Sequence, residues 1–185
     1  MLAGCGNTST QNSGSQEPYK AISFVQGGRE VSIFAEDTSI TLDRHRFSIR
    51  YYCKRYAYPD SMYTLQLAIL PHAVDVHPGT DIETLDFFRD GSGLATNGGD
   101  TLFIDGGGHN HLYYENENSK RASLIAEKEN YLYLEEPVTA FYLHDSVFPV
   151  QDIKMNELWF LAYNDYNLNQ KIDAGELHKI HVTFR

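Results

Sequence analysis

The chain reads as an all-β protein, a single antiparallel β-sandwich, because strand-like runs recur along it, turn formers fill the gaps, and aromatic side chains abound. Thirteen Tyr, ten Phe and one Trp in 185 residues suit sheets, whose pleated, half-buried surface favours aromatic and β-branched groups. Extended segments are predicted at 21–25, 30–34, 47–54, 63–70, 101–105, 111–115, 122–127, 131–135 and 138–143, with Gly, Asn, Asp or Pro between them. Spacing of roughly 8 to 15 residues with short turns suits a sandwich.

In chain order, the segments 21–25 and 30–34 flank Gly27-Gly28, residues that turn easily. In 47–54, Phe47, Ile49, Tyr51 and Cys53 share parity, which marks a core-facing row with Cys53 as a small buried hydrophobe. Tyr63, Leu65, Leu67 and Ile69 alternate with Thr64, Gln66 and Ala68, so this segment is predicted to keep one face wet. Helix is scarce, and only 81–88 has the makings of two turns. The run 157–163 is almost continuously apolar, as in a buried central strand. Ile180, Val182 and Phe184 then alternate with Lys179, His181 and Thr183, a strand signature that turns His181 to solvent.

Residues 1–19 separate from 20–185. The stretch 6–16 is entirely Gly, Asn, Thr, Ser and Gln, a polar tether with nothing to bury. The remainder, roughly 165 residues, suffices for one domain with a substantial core. No apolar run approaches the roughly 18 residues of a membrane span. The formal charge of −10, from 15 basic and 25 acidic residues, repels phosphates and argues against nucleic acid as a partner.

The segment 165–176 carries the most chemistry. A twelve-residue calcium loop takes ligands at positions 1, 3, 5, 7, 9 and 12, the seventh through a carbonyl and the twelfth through a bidentate Glu. Those positions hold Asp165, Asn167, Asn169, Lys171 (through its carbonyl), Asp173 and Glu176, with apolar Ile172 at position 8. The segment resembles the EF-hand calcium loop over these residues alone. Position 6, where the chain turns sharply with positive φ and Gly is usual, holds Gln170. A non-Gly residue there costs roughly 1 kcal/mol or more. Three carboxylates place the expected affinity for calcium at the weak end, roughly 10⁻⁴ to 10⁻³ M. An EF-hand has a helix on each side, whereas here both flanks read as strands. The layout is similar to the D-x-N-x-N-x-x-x-D-x-G-E loops between strands of bacterial surface β-sandwich modules, including repeat domains of Gram-positive adhesins. That resemblance implies a structural ion that stiffens a connection between the last two strands.

At the other end, Leu2-Ala3-Gly4-Cys5 resembles a bacterial lipobox, which implies acylation of Cys5. The charged and apolar parts of a signal peptide would precede it, and only Met1 does, so a form trimmed near the processing site is expected. Gly6, where some Gram-negative lipoproteins carry an Asp that retains them in the inner membrane, leans towards the outer membrane. With Cys5 lipidated, Cys53 has no disulfide framework to join.

Other patterns carry less. The Gly-rich stretch 90–100 lacks the Lys-Ser/Thr ending of a phosphate loop, so it reads as a surface loop. Asp105, His109 and His111 form the best enzyme candidate, because residues two apart on a strand share a face and two imidazoles suit zinc or copper. No third ligand at recognisable spacing accompanies them. Glu135 and Glu136 are adjacent and should face opposite ways in a strand, which defeats a shared acid pair. Tyr51, Tyr52, Tyr56, Tyr58, Tyr113 and Tyr114 cluster near turns, where exposed rings can stack on sugars or fill an interface.

These features together predict a calcium-stabilised, lipid-anchored bacterial envelope protein acting as a non-catalytic binding or structural module. Its partners would be calcium, the membrane through the N-terminal lipid, and a protein or glycan. The alternatives are a metal-dependent envelope enzyme centred on Asp105, His109 and His111, or a carbohydrate-binding module.

Overall fold

Alternation along the strands decides the architecture. The structure, a computed structural model, describes residues 18–55, 63–88, 100–104, 108, 110–114, 122–144 and 146–185. A 3-10 turn at Pro18–Lys20 leads into β1 (Ile22–Gln26), which reverses at Gly27 and Gly28 into β2 (Arg29–Ile33). Both glycines have positive φ, 58° and 81°, where a Cβ would be strained. β3 (Asp37–Leu42), β4 (Phe47–Lys54), β5 (Tyr63–Leu70) and β6 (His111–Tyr114) follow. Then come β7 (Ser123–Lys128), β8 (Tyr131–Val138), β9 (Ala140–Leu143), β10 (Ser146–Pro149), β11 (Glu157–Tyr163) and β12 (Leu177–Phe184).

The first sheet runs β2-β1-β4-β8-β7 and the second β3-β12-β11-β5-β6, while β9 and β10 pair as a separate ribbon. The two five-stranded sheets pack face to face, so the all-β class is as predicted. Phe47, Ile49, Tyr51 and Cys53 all point inward from β4, and Leu132 and Leu134 do so from β8. Leu65, Leu67 and Ile69 meet them from β5, Phe160 from β11, and Ile180, Val182 and Phe184 from β12. Phe160 is the hub, with ring centroids 5.6 Å from Phe24, 6.3 Å from Phe47 and 6.3 Å from Phe141. Parity also separates Glu135, which reaches outward to Arg50 at 2.6 Å, from Glu136, which is buried.

Four expectations need correction. The second sheet is mixed, because β3 runs parallel to β12, from Asp37 beside Lys179 to Leu42 beside Phe184. The chain reaches this position by crossing from β2 in the first sheet through Phe34, Ala35 and Glu36. β5 has no wet face at its C-terminal half, since Ala68 and Leu70 are buried under Val76, Ile82 and Phe88. The connection after β5 thus covers the outside of the second sheet. In place of a two-turn helix at 81–88 there is a single 3-10 turn, Ile82–Thr84, whose Asp81 carboxylate accepts the Glu83 N–H at 3.0 Å. Finally, of the strand expected at 101–105, the described residues 101–104 form no strand of either sheet. Leu102 makes an isolated bridge to Ile69 and Phe103 one to Tyr142, joining the second sheet to β9.

Truncating the hub tests the inter-sheet core. Phe160→Ala is expected to cost about 3–5 kcal/mol in urea denaturation, and a loss under about 1 kcal/mol would show the two sheets do not meet around this ring.

Candidate calcium loop

The loop hangs between two strands that cannot move independently. β11 is central and buried on both faces, and it pairs with β12 from Glu157 opposite Thr183 to Tyr163 opposite Leu177. Below the loop, Ile172 is 1% exposed and packs with Tyr163, Leu177, Ile82 and Phe88 on the outside of the second sheet. The position-8 residue therefore anchors the loop as its apolar character implies. Backbone bonds fasten the same stretch to the covering segment. Ile172 N–H donates to the Thr80 carbonyl at 2.9 Å, Gly79 N–H to the Ile172 carbonyl at 2.7 Å, and Ile82 N–H to the Gln170 carbonyl at 3.0 Å.

All five side chains expected to supply oxygen hydrogen-bond within the loop. Asp165 accepts the Asn169 N–H at 3.1 Å and the Gln170 N–H at 2.8 Å through its two oxygens. The Asn167 Oδ1 accepts the Asn169 N–H at 3.1 Å, and the Asn169 Oδ1 accepts the Lys171 N–H at 2.8 Å. Both Asn side-chain amides donate to the same oxygen, Asp173 Oδ2, at 2.7 and 2.9 Å. The Glu176 carboxylate accepts the Tyr166 N–H and the Asp173 N–H, each at 3.0 Å. Tyr163 donates its hydroxyl proton to the Lys171 carbonyl at 3.1 Å, leaving that oxygen a second lone pair.

Backbone conformation follows the same pattern. Gln170 has φ 60° and Leu168 has φ 61°, so position 6 takes the sharp left-handed turn without the Gly that makes it cheap. Gly175, at φ 80°, takes a third such turn just before Glu176, and its N–H donates to the Glu36 carboxylate at 2.7 Å.

Three carboxylates in one loop set the electrostatics. Burial raises the Glu176 carboxyl above its ordinary pKa; the Asp173 and Tyr166 N–H groups oppose this, and the charges of Asp165 and Asp173 add to it. Burial first, then the same acidic neighbours, pushes the Tyr163 hydroxyl up as well. Among the described residues no three His, Cys, Asp or Glu side chains stand close enough to hold a metal by themselves. A cation in this loop would therefore depend on the Asn oxygens and the Lys171 carbonyl, which suits hard-ion chemistry and not zinc.

The other candidate residues fare differently. Asp105 and His109 lie outside the described residues, as do Cys5 and the tether, Tyr56, Tyr58 and nearly all of the Gly-rich loop. His111 opens β6 with its Nε2 3.2 Å from the Gln66 amide nitrogen. Burial holds the Cys53 thiol far above its ordinary pKa, so it is not a poised nucleophile. Tyr51 is buried in the core, whereas Tyr52 stacks on Tyr133 at 4.4 Å and Tyr19 on Tyr131 at 4.2 Å, with Tyr19 edge-on to Tyr52. Each of these four rings already gives one face to a neighbour. His181 lies on the outer face as expected, stacked on Trp159 at 4.3 Å and 2.9 Å from Glu157.

Sequence reasoning missed the residues that hold the loop from outside: Tyr163, Asn164, Tyr166, His178 and Glu36. Asn164 donates its amide to the Tyr52 carbonyl at 2.8 Å, which ties the loop to β4 of the opposite sheet. A polar Asn ending an apolar strand was the only local signal for it. Compared with known proteins, the chain matches no family model, no curated protein and no solved structure.

Two substitutions test this geometry without any ion. Gln170→Gly should raise unfolding stability by about 1 kcal/mol, because Gly adopts positive φ without a Cβ clash. Ile172→Ala should cost about 2–4 kcal/mol by opening a cavity under the loop.

Proposed function

We propose that this chain is a calcium-stabilised, non-catalytic binding or structural module of a bacterial envelope. The observation that carries the reading is the register itself. Side chains at positions 1, 3, 5, 9 and 12 all hydrogen-bond within the loop, position 8 is the buried anchor, and position 6 turns left-handed as a calcium loop requires.

Asp165, Asn167, Asn169, Asp173 and Glu176 would hold the ion through side chains and Lys171 through its carbonyl. Bound calcium would supply positive charge beside Glu176, whose carboxyl is raised by burial with the charges of Asp165 and Asp173 adding to it. The protein's own part is to present those oxygens on a hairpin pinned by Ile172 and by Asn164. Because the ion binds only the folded loop, it favours the fold by about 1.4 kcal/mol at tenfold saturation. The cavity beside the loop, lined by Glu36, Val76, Ile172, Asp173 and Leu177, holds about 200 Å³.

The envelope location rests on the lipobox-like residues ending at Cys5 and the polar stretch after them, with the outer membrane favoured if the cell is Gram-negative. Among the described residues no helix is long and apolar enough to cross a membrane.

Calorimetric titration of chelator-treated protein with calcium, followed by melts with and without the ion, tests the proposal. Millimolar calcium is expected to raise the melting temperature, Glu176→Ala to abolish that gain, and His111→Ala to leave it unchanged. Stoichiometric zinc or copper in the purified protein, with no calcium response, would instead favour the enzyme alternative.

The sign of the pH dependence is also fixed. Since the Glu176 carboxyl is raised in the fold, its contribution to ion-free stability is greatest below the unfolded-state pKa and is lost as pH rises through the folded value. Calcium needs the ionised form, so its stabilising increment should shrink as pH falls through that range. Melts across pH 4 to 7 with and without calcium should therefore converge at the acid end.

A further inference from the structure

The loop does more than join β11 to β12, because the segment that leads into the domain is fastened to it. Tyr166, at position 2, donates its backbone N–H to Glu176 and its hydroxyl to the Tyr19 carbonyl at 3.0 Å. Its ring also lies 5.8 Å from the Lys20 ammonium. Gly175, at position 11, faces the same lysine, so that a Cβ there would stand 3.6 Å from Lys20 Cδ and 3.7 Å from Nζ. Just past the loop, buried His178 places Nε2 2.8 Å from the Lys20 carbonyl and Nδ1 3.0 Å from the Ala35 carbonyl. Tyr19 itself is laid against the first sheet by its stack on Tyr131. Tyr19 and Lys20 are thus held on one side by β8 of the first sheet and on the other by the frame of the loop.

One residue that touches this segment, Tyr166, has its backbone held by a loop carboxylate. Tyr166 is positioned by Glu176 through its N–H, and Gly175 is the left-handed turn that aims Glu176 inward. Any change that tightens Glu176 against Tyr166 and Asp173 also fixes the hydroxyl that grips Tyr19. We infer that the calcium loop is a clasp for the N-terminal segment, so that calcium occupancy determines how firmly Tyr19 and Lys20 are held against the domain. This rests on the calcium reading above and adds regulation to it. A tethered domain would be gripped at its root when calcium is present and would gain free chain there when calcium is withdrawn.

Hydrogen exchange on the full chain tests the clasp separately from the ion site. Exchange at the backbone amides of residues 19–21 is measured together with the melting temperature, in chelator and in calcium at about ten times the dissociation constant. In the native sequence, calcium is expected to slow exchange at these amides about tenfold, in proportion to saturation. Tyr166→Phe, which removes one hydroxyl and keeps the ring, should keep most of the calcium-induced rise in melting temperature and lose most of the slowing. A calcium-induced rise in melting temperature with unchanged exchange at 19–21 would overturn the clasp and leave the ion site standing. Slowing that persists undiminished in Tyr166→Phe would overturn the clasp as drawn here. No rise in melting temperature in the native chain would remove the calcium reading and the clasp with it.

Discussion

A carboxylate that is 4% exposed has to be compensated, and Glu176 is compensated by the loop it terminates. Its two oxygens take the N–H groups of Tyr166 and Asp173, residues on opposite limbs of the turn. Those two bonds close the loop as a covalent cross-link would, and the Asn164 N–H continues the hairpin by donating to the Glu176 carbonyl at 2.9 Å. The register of β11 on β12 follows from that closure, and the Phe160 hub follows from the register. Asn164 then carries the constraint across to Tyr52, so the second sheet is held to the first at this end by a polar bond and not by packing alone.

Compensation by N–H donors is partial, since burial, with the charges of Asp165 and Asp173 adding to it, still raises the Glu176 carboxyl. Asn167 and Asn169 make up part of the deficit by directing both amide donors at Asp173 Oδ2. An asparagine is the side chain that can serve either partner. Its amide nitrogen satisfies a carboxylate, and the oxygen on the same carbon satisfies a hard cation. A loop built with Asp at positions 3 and 5 would repel itself without an ion. With Asn it closes through its own bonds. The composition of the loop thus accounts for its closing by hydrogen bonds among its own groups.

How much of this was legible in the sequence depends on whether a residue's role was local. The left-handed turn at position 6 and the buried anchor Ile172 could be anticipated because their spacing is a property of the segment 165–176 itself, and β4 could be read because Phe47, Ile49, Tyr51 and Cys53 point one way. β3 was missed because Asp37-Thr38-Ser39-Ile40-Thr41-Leu42 has only two apolar residues. Its extended form comes from the parallel ladder with β12 and from Lys179 reaching Asp37 at 3.2 Å. The wet face assigned to β5 failed for a related reason. Ala68 and Leu70 are covered by Val76, Ile82 and Phe88 from a connection with no regular period, so no window on β5 could reveal the cover. The helix expected at 81–88 gave way because Ile82 and Phe88 are drawn down onto the sheet, which a continuous helix would not allow for both at this spacing.

The end of the sandwich that carries the loop is also the end where Tyr19 and Lys20 lead into β1. β1, which follows Lys20, belongs to the first sheet, and β12, which follows Glu176, belongs to the second. A pull applied upstream of Tyr19 would act first on side-chain bonds from Tyr166 and His178, both mounted on the β11–β12 hairpin, and on the stack against Tyr131. Both sheets would share that load before the β1 ladder, with Ile22 beside Ile33 and Tyr51, began to peel. Tyr166 and His178 therefore tie the entering segment to the hairpin whose β11 is buried at Phe160, Leu161, Ala162 and Tyr163. The same loop on an edge hairpin such as β9 and β10 would stiffen only itself.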